Sequence, residues 1–169
     1  MIMSARKALG VLLGALALLA TSCAEAGPPE VSIYADGEYT RVAPLKYCDV
    51  LISDCQSAAD AQATLPIRPG EPVQVSVPAE IAEAPWLVNV QGVAADGTLL
   101  PVRQEFFSPG ESYAYTARPT SPGERLLVVE VLQLGGAYAG GEDGKPITDS
   151  EGNPQLLARG WWSVGLAAR

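Results

Sequence analysis

Residues 73–77 read Val73-Gln74-Val75-Ser76-Val77, and this stretch decides the fold class. Successive side chains of a strand point to opposite faces, so the three valines would share one face and the two polar residues the other. The pattern therefore predicts a half-buried antiparallel strand. Outward from it in both directions, short β patterns alternate with turns, and we find no long helical pattern.

The next strand pattern along the chain places Trp86, Val88 and Val90 on one face. We expect Trp86 in the core. Asp96-Gly97 stands between this strand and the apolar run at 99–107, and Asp-Gly between two such runs is a strong hairpin signal. The two strands should therefore be adjacent and antiparallel, and residues 80–84 between the first two patterns could form one helical turn.

Further strand patterns occupy residues 31–34, 39–42, 45–49, 112–117, 125–134 and 161–166. A count of about seven to nine short strands with frequent turns, and a tryptophan on a strand near the middle, predicts an all-β chain. We interpret it as an immunoglobulin-like two-sheet antiparallel sandwich. A small β-barrel is the alternative.

The first residues form an export signal. Arg6 and Lys7 precede an apolar stretch at 8–20, which is too short to cross a bilayer comfortably. Leu19-Ala20-Thr21-Ser22-Cys23 follows and resembles the bacterial lipobox. The resemblance implies cleavage before Cys23 and a lipid (diacylglycerol, with palmitate-type acyl chains) on its thiol. The alternative is an ordinary secretory signal with an unmodified cysteine.

These features divide the chain into a signal peptide at 1–22, a short tether at 23–30 and a single β-sandwich domain at 31–169. We expect the domain to be lipid-anchored at the extracytoplasmic face of the cell membrane. If Cys23 is lipidated, Cys48 and Cys55 remain as an even pair in an oxidising compartment. This predicts a disulfide between them; a redox-active pair is the weaker alternative, because the spacing is not Cys-x-x-Cys.

Composition excludes several function classes. The chain has no histidine, so a Ser-His-Asp triad would lack its base. Its two methionines, Met1 and Met3, lie in the signal peptide, so a site for soft metals would lack histidine and methionine ligands. The net charge of -8 becomes -8 - 2 = -10 without Arg6 and Lys7, which argues against a nucleic-acid partner. We expect no cofactor, no metal and no enzymatic activity.

Two adjacent aromatic pairs, Phe106-Phe107 and Trp161-Trp162, are the candidate contact surface. Neighbours on a strand point to opposite faces, so both members of a pair cannot enter one core. One member of each pair is therefore covered by a loop, exposed at a sheet face, or used to bind a sugar, lipid or protein partner. A second candidate is the loop at 135–155, whose oxygen-bearing side chains could wrap calcium although their spacing fits no calcium-loop pattern: Glu142, Asp143, Asp149, Glu151 and Asn153.

We therefore expect a noncatalytic module that contacts an envelope protein or a cell-wall component. One alternative is a carrier of lipid or another apolar ligand, because residues 126–132 are apolar on both faces of their strand: Leu127, Val129 and Val131 on one, and Leu126, Val128 and Leu132 on the other. The other alternative is a glycan hydrolase that uses carboxylates alone.

Tyr47-Cys48-Asp49-Val50, Cys55, Val75-Ser76-Val77-Pro78 and Ala84-Pro85-Trp86 carry a resemblance over most of the chain after Cys23. The chain resembles an actinobacterial family of secreted lipoproteins of unknown function. The resemblance implies export and a β fold, and it assigns no catalytic or binding residue.

Overall fold

The computed structural model describes residues 27–141, 145–148, 152 and 154–169. The signal peptide, Cys23 and the five candidate calcium ligands lie outside the described residues. Within these residues the strands are β1 (Val31–Ala35), β2 (Glu38–Val42), β3 (Lys46–Cys48), β4 (Cys55–Ser57), β5 (Ala63–Ile67), β6 (Val73–Ser76), β7 (Trp86–Val93), β8 (Arg103–Phe107), β9 (Ala114–Ala117), β10 (Arg125–Tyr138) and β11 (Leu156–Ala168), and the helix α1 (Ala79–Ala82) lies between β6 and β7. In the described ranges, no helix has the length and hydrophobicity needed to cross a membrane.

The strands form two sheets packed face to face, which confirms the predicted sandwich. The smaller sheet has the order β2-β1-β6-β9, and the larger has the order β4-β3-β11-β10-β7-β8. β5 joins the larger sheet beside β3, where it pairs with the second half of β11 in parallel. Neither sheet closes on itself in the described part of the chain, so the small β-barrel was the wrong alternative.

The core lies between the sheets. Val73 and Val75 are fully buried and Val77 nearly so, as their alternation predicts. Trp86 is also fully buried, and its ring stacks on Phe107 with centroids 4.3 Å apart. Because each sheet offers its apolar face to the other, the two outer faces are left to polar side chains and to the few apolar ones that the core does not take.

The described residues form eleven strands where the sequence predicts seven to nine, because β4 and β5 lack the alternating pattern of a half-buried strand. All three residues of β4 are exposed, so this strand carries no apolar alternation. β5 contains Pro66, which lacks an amide hydrogen and indicates a turn. Proline is tolerated there because β5 is bonded to β11 along a single edge.

The Asp96-Gly97 hairpin is confirmed, with β7 and β8 adjacent and antiparallel. The Thr98 amide donates to the Asp96 carboxylate at 2.9 Å, and Gly97 adopts a positive φ of 87°. Regular pairing in β8 starts only at Arg103, since Pro101 interrupts the predicted 99–107 strand.

The predicted faces of residues 126–132 were wrong for Leu126 and Leu127 only, since Val129 and Val131 share the core face and Val128 and Leu132 the other face, as predicted. A bulge between Leu126 and Val128 inserts one extra residue into β10, so Leu126 points into the core together with Val129 and Val131. Leu127 changes sides for the same reason and is only partly buried. The sheet interior therefore receives three apolar side chains from this stretch, and the outer face receives Leu132.

The best-satisfied buried charge is the carboxylate of Glu124, which fixes the connection between β9 and β10. It accepts hydrogen bonds from the Thr120 amide at 2.6 Å and hydroxyl at 2.7 Å, and it pairs with Arg103 Nη2 at 3.0 Å. Burial raises the pKa of this carboxyl, but the Thr120 donors and the Arg103 guanidinium outweigh burial and hold the pKa below its usual range.

Trp162 lies in the core over a glycine. A Cβ on Gly160 would overlap the six-membered ring of Trp162, which therefore needs a residue without a side chain two positions earlier. The Trp162 Nε1–H donates to the carbonyl oxygen of Pro29 at 2.9 Å. This contact fixes the incoming chain to the core.

We expect Gly160→Ala to lower the free energy of unfolding by about 1–3 kcal/mol, because the added methyl group displaces the Trp162 ring. Chemical denaturation followed by tryptophan fluorescence measures the change. Gly140→Ala is the matched control, because nothing lies within 4 Å of its added Cβ. Equal midpoints for the two variants would contradict the overlap at Gly160.

We expect Glu124→Gln to destabilise the fold by about 2–4 kcal/mol at neutral pH, because two buried N–H donors lose their charged acceptor and Arg103 loses its partner. The pKa of Glu124 is lower in the folded protein than in the unfolded chain, so the ionised carboxylate stabilises the fold at pH values above the unfolded-state pKa. This stabilisation is lost as the pH falls through the folded-state pKa. The difference from wild type should therefore shrink in acid. Glu83→Gln, on an exposed carboxylate, should unfold like wild type at every pH.

Candidate functional site

The two aromatic pairs each place one ring in the core and one at the surface. Phe107 and Trp162 are the buried members, a choice that the sequence leaves open, so neither is available to a partner. Their neighbours Phe106 and Trp161 are 53% and 40% exposed. Both point away from the smaller sheet, on the outer face of the larger one, because strand neighbours alternate between faces.

Strand register brings these two exposed rings into one line across the sheet. Trp161 pairs with Leu132, Leu132 with Leu87, and Leu87 with Phe106. We call these four residues the aromatic row. It crosses three strand spacings, about 14 Å. An apolar line with a large ring at each end is unusual on an outer sheet face, where single scattered apolar side chains are the norm.

A line of polar residues runs beside the aromatic row, formed by Glu130, Asn89 and Gln104 in register. The Trp161 Nε1–H donates to Glu130 Oε1 at 3.2 Å, and the Asn89 amide donates to Glu130 Oε2 at 3.5 Å. Gln104 Nε2 in turn donates to Asn89 Oδ1 at 2.9 Å. These bonds hold the Trp161 indole in one orientation and leave the polar line beside it hydrogen-bonded.

The aromatic row and the polar line together offer what a binding face needs. The rings supply apolar area, and the carboxylate and amides beside them supply hydrogen-bonding groups. Leu87 and the polar line were not predicted, and Leu132 was predicted only as part of a possible apolar ligand site, since no local pattern reveals which residues of four strands become neighbours. Only the alternation of each strand, which places these residues on outward positions, could have indicated them.

The end of the sandwich where residues 27–30 enter is a second surface of interest. Residues 134–138 of β10 and 156–159 of β11 extend beyond the sandwich at this end as a two-stranded ribbon, and the loop 49–54 lies against the ribbon. We call this region, formed by the ribbon and the loop, the tether end. Arg159 fixes it from inside, donating from Nη2 to the Tyr47 hydroxyl at 2.6 Å.

The predicted disulfide between Cys48 and Cys55 is confirmed, and it closes the loop 49–54 at the ends of β3 and β4. Inside the loop the Asp49 carboxylate accepts hydrogen bonds from the Ser53 hydroxyl at 2.6 Å and amide at 2.7 Å, which lower the pKa of Asp49. The loop is therefore held at its base by a covalent bond and internally by a carboxylate.

The space between the sheets does not resemble a carrier's cavity. The void lined by Ile33, Val131 and Trp162 has an empty volume of about 150 Å³, with no room for a water molecule. Pockets for small ligands measure roughly 300–1,000 Å³. A larger cleft of about 600 Å³ opens beside residues 27–30, but Arg41, Glu30 and Glu80 line it, and it is not apolar.

The buried carboxylates of the described residues serve as structural groups. Glu124 is occupied by Arg103 and by backbone donors, as described above. The Asp36 side chain is 3% exposed and is paired with Arg68 and Arg169, and the Arg68 hydrogen bond lowers its pKa. Within the same part of the chain, no three Asp, Glu or Cys side chains gather into a metal site.

Comparison with known proteins gives a family without an assigned function. Residues 24–152 match the family model described as "Protein of unknown function (DUF2771)". Uncharacterized proteins of Mycobacterium bovis and of two Mycobacterium tuberculosis strains are 38% identical over 143 residues, which is 82% of this chain and 77% of each relative. No solved structure matches the chain. The chain belongs to the DUF2771 family of proteins of unknown function.

Proposed function

We propose that this protein is a lipid-anchored, noncatalytic module on the extracytoplasmic face of the cell membrane that binds an envelope protein or a cell-wall component. The lipobox resemblance at Cys23 supports the anchor. The aromatic row supports the binding, and it is the observation that carries the proposal. Two large rings, Phe106 and Trp161, stand exposed in register on the outer face of the larger sheet.

The Trp161 ring of the aromatic row is already held in one orientation before a partner binds. Aromatic side chains contribute most where they are buried at the centre of an interface. Glu130 already restrains the Trp161 indole, so the ring loses little conformational freedom when a partner covers it. Leu132, which is partly buried, and Leu87, which is 9% exposed, fill the space between the rings, so the partner meets two exposed rings joined by packed apolar side chains.

The absence of imidazole in the chain and the occupied state of Glu124 and Asp36 favour binding over catalysis. A glycan hydrolase needs one carboxylic acid and one carboxylate that face each other across a cleft. The most deeply buried carboxylates described here face arginines instead. A contact module requires neither group and uses the sheet face that the fold leaves open.

We expect Cys23→Ser to move the protein from the membrane fraction to the soluble extracytoplasmic fraction, because the thiol that carries the lipid is lost. Fractionation and immunoblotting of cells measure the distribution. The double variant Cys48→Ser/Cys55→Ser is the control, because it removes the other two cysteines and should stay with the membrane. A Cys23→Ser chain that still partitions wholly with membranes would overturn the anchor.

We expect Trp161→Ala/Phe106→Ala to lose the partner that the wild-type protein captures on crosslinking in intact cells. Mass spectrometry of the captured proteins and glycans identifies that partner. Tyr34→Ala/Tyr113→Ala is the matched control, because it also removes two exposed rings but lies outside the larger sheet. Thermal melting must show both variants folded. Equal capture by the two variants would refute binding through the aromatic row.

A further inference from the structure

The tether end carries apolar side chains that the fold leaves uncovered. Val50 and Leu51 in the disulfide loop are 56% and 70% exposed, and Tyr138 and Leu157 on the ribbon are exposed beside them. The backbone joins the loop to the ribbon, since the Gly136 amide donates to the Val50 carbonyl at 3.0 Å. The exposed apolar residues therefore stand on one connected structure.

The loop is built to keep two of its apolar residues outside. Its apolar run is Val50-Leu51-Ile52. Ile52 turns inward, where its Cδ1 would lie 3.1 Å from a Cβ at Gly135, and Cγ1 of Val50 would lie 3.5 Å from a Cβ at Gly136. Ile52 adopts a φ of 59° to do so, an unfavourable conformation for a β-branched residue. The disulfide and the Asp49 carboxylate hold the loop in this shape. Leu51 is left pointing away from the protein, and Val50 keeps more than half of its surface exposed.

The short segment between Cys23 and Pro29 limits the distance between the tether end and a membrane-anchored Cys23. Trp162 fixes the Pro29 carbonyl, and Gly27 and Pro28 lie beside Tyr47 and Gln56 at the base of the disulfide loop. Pro29 is six residues after Cys23, so a lipid on Cys23 keeps Pro29 within about 21 Å of the acyl-glycerol group. The tether end is the part of the sandwich that this short segment holds nearest the bilayer.

We propose that the tether end docks on the outer leaflet of the membrane, with Val50 and Leu51 in the interfacial region of the lipid. This rests on the proposed lipid anchor at Cys23. The contact is apolar, because a chain with a net charge of -10 without its signal peptide gains nothing from anionic headgroups. Docking fixes the orientation of the sandwich, so the aromatic row points along the membrane instead of turning freely on its tether.

The test places an added tryptophan at the docking loop in the full lipidated chain, purified from a bacterium that processes lipoproteins. Leu51→Trp and the control Leu99→Trp are reconstituted in phosphatidylcholine vesicles brominated on the upper acyl chain. Leu99 is 66% exposed and lies in the β7–β8 hairpin, at the opposite end of the sandwich. Wild-type emission is subtracted to remove the native tryptophans, and flotation of the vesicles reports anchoring separately.

We expect the emission added by Leu51→Trp to be blue-shifted and quenched by the brominated lipid, and that added by Leu99→Trp to be unaffected. Val50→Trp repeats the measurement if Leu51→Trp changes the melting temperature. Chains that float with the vesicles but show no quenching at either loop position overturn the docking and leave the anchor intact. Chains that do not float overturn the anchor, and the docking with it.

Discussion

The packing of Trp162 over Gly160 fixes the relation between the core, the surface and the incoming chain. The ring enters the space between the sheets only because residue 160 has no Cβ. Once Trp162 points inward, strand alternation turns Trp161 outward, where Glu130 receives its indole N–H. The Trp162 indole N–H meanwhile holds the Pro29 carbonyl. One tight contact thus places a core residue, an exposed ring and the entry point of the chain.

Long strands carry this arrangement across the sheet. β10 and β11 pair along most of their length, and β7 and β8 continue the same register on the far side of β10. A shift of one residue in any of these pairings would send an exposed ring inward and a core side chain into water. The aromatic row is therefore fixed by the same register that fills the core, and it needs no separate device to hold it on the surface.

Much of this fold could be predicted from the sequence, because valine alternation and turn residues are local signals. Val73, Val75 and Trp86 are buried as their patterns require, and the Asp96-Gly97 hairpin joins the expected strands. The sequence also indicates that Phe106-Phe107 and Trp161-Trp162 must each split between two faces. The inward member could not be chosen, since that choice depends on Gly160 and on cross-strand register, which are contacts between residues distant in the chain.

The errors have the same physical origin. The bulge after Leu126 changes which side of β10 faces the core, and a bulge depends on the neighbouring strand and not on its own residues. The disulfide between Cys48 and Cys55 was predicted, but the contact of its loop with Gly135 and Gly136 was not. The sequence patterns assigned these two glycines to the loop at 135–155, whereas they belong to β10. Glycines inside a strand indicate a close approach of another backbone, and here Val50 makes that approach.

The position of the aromatic row on the sheet bears on what can reach it. Leu87 is the second residue of β7 and Phe106 the second-last of β8, so the row crosses the larger sheet at the edge nearest the tether end. With Cys23 in the membrane as proposed, a partner on this row must itself lie close to the bilayer surface. That geometry favours a membrane-associated protein over an outlying wall polymer, because a polymer layer beyond the domain would meet the β7–β8 hairpin first. The short tether thereby narrows the choice of partner that the chemistry of the row alone leaves open.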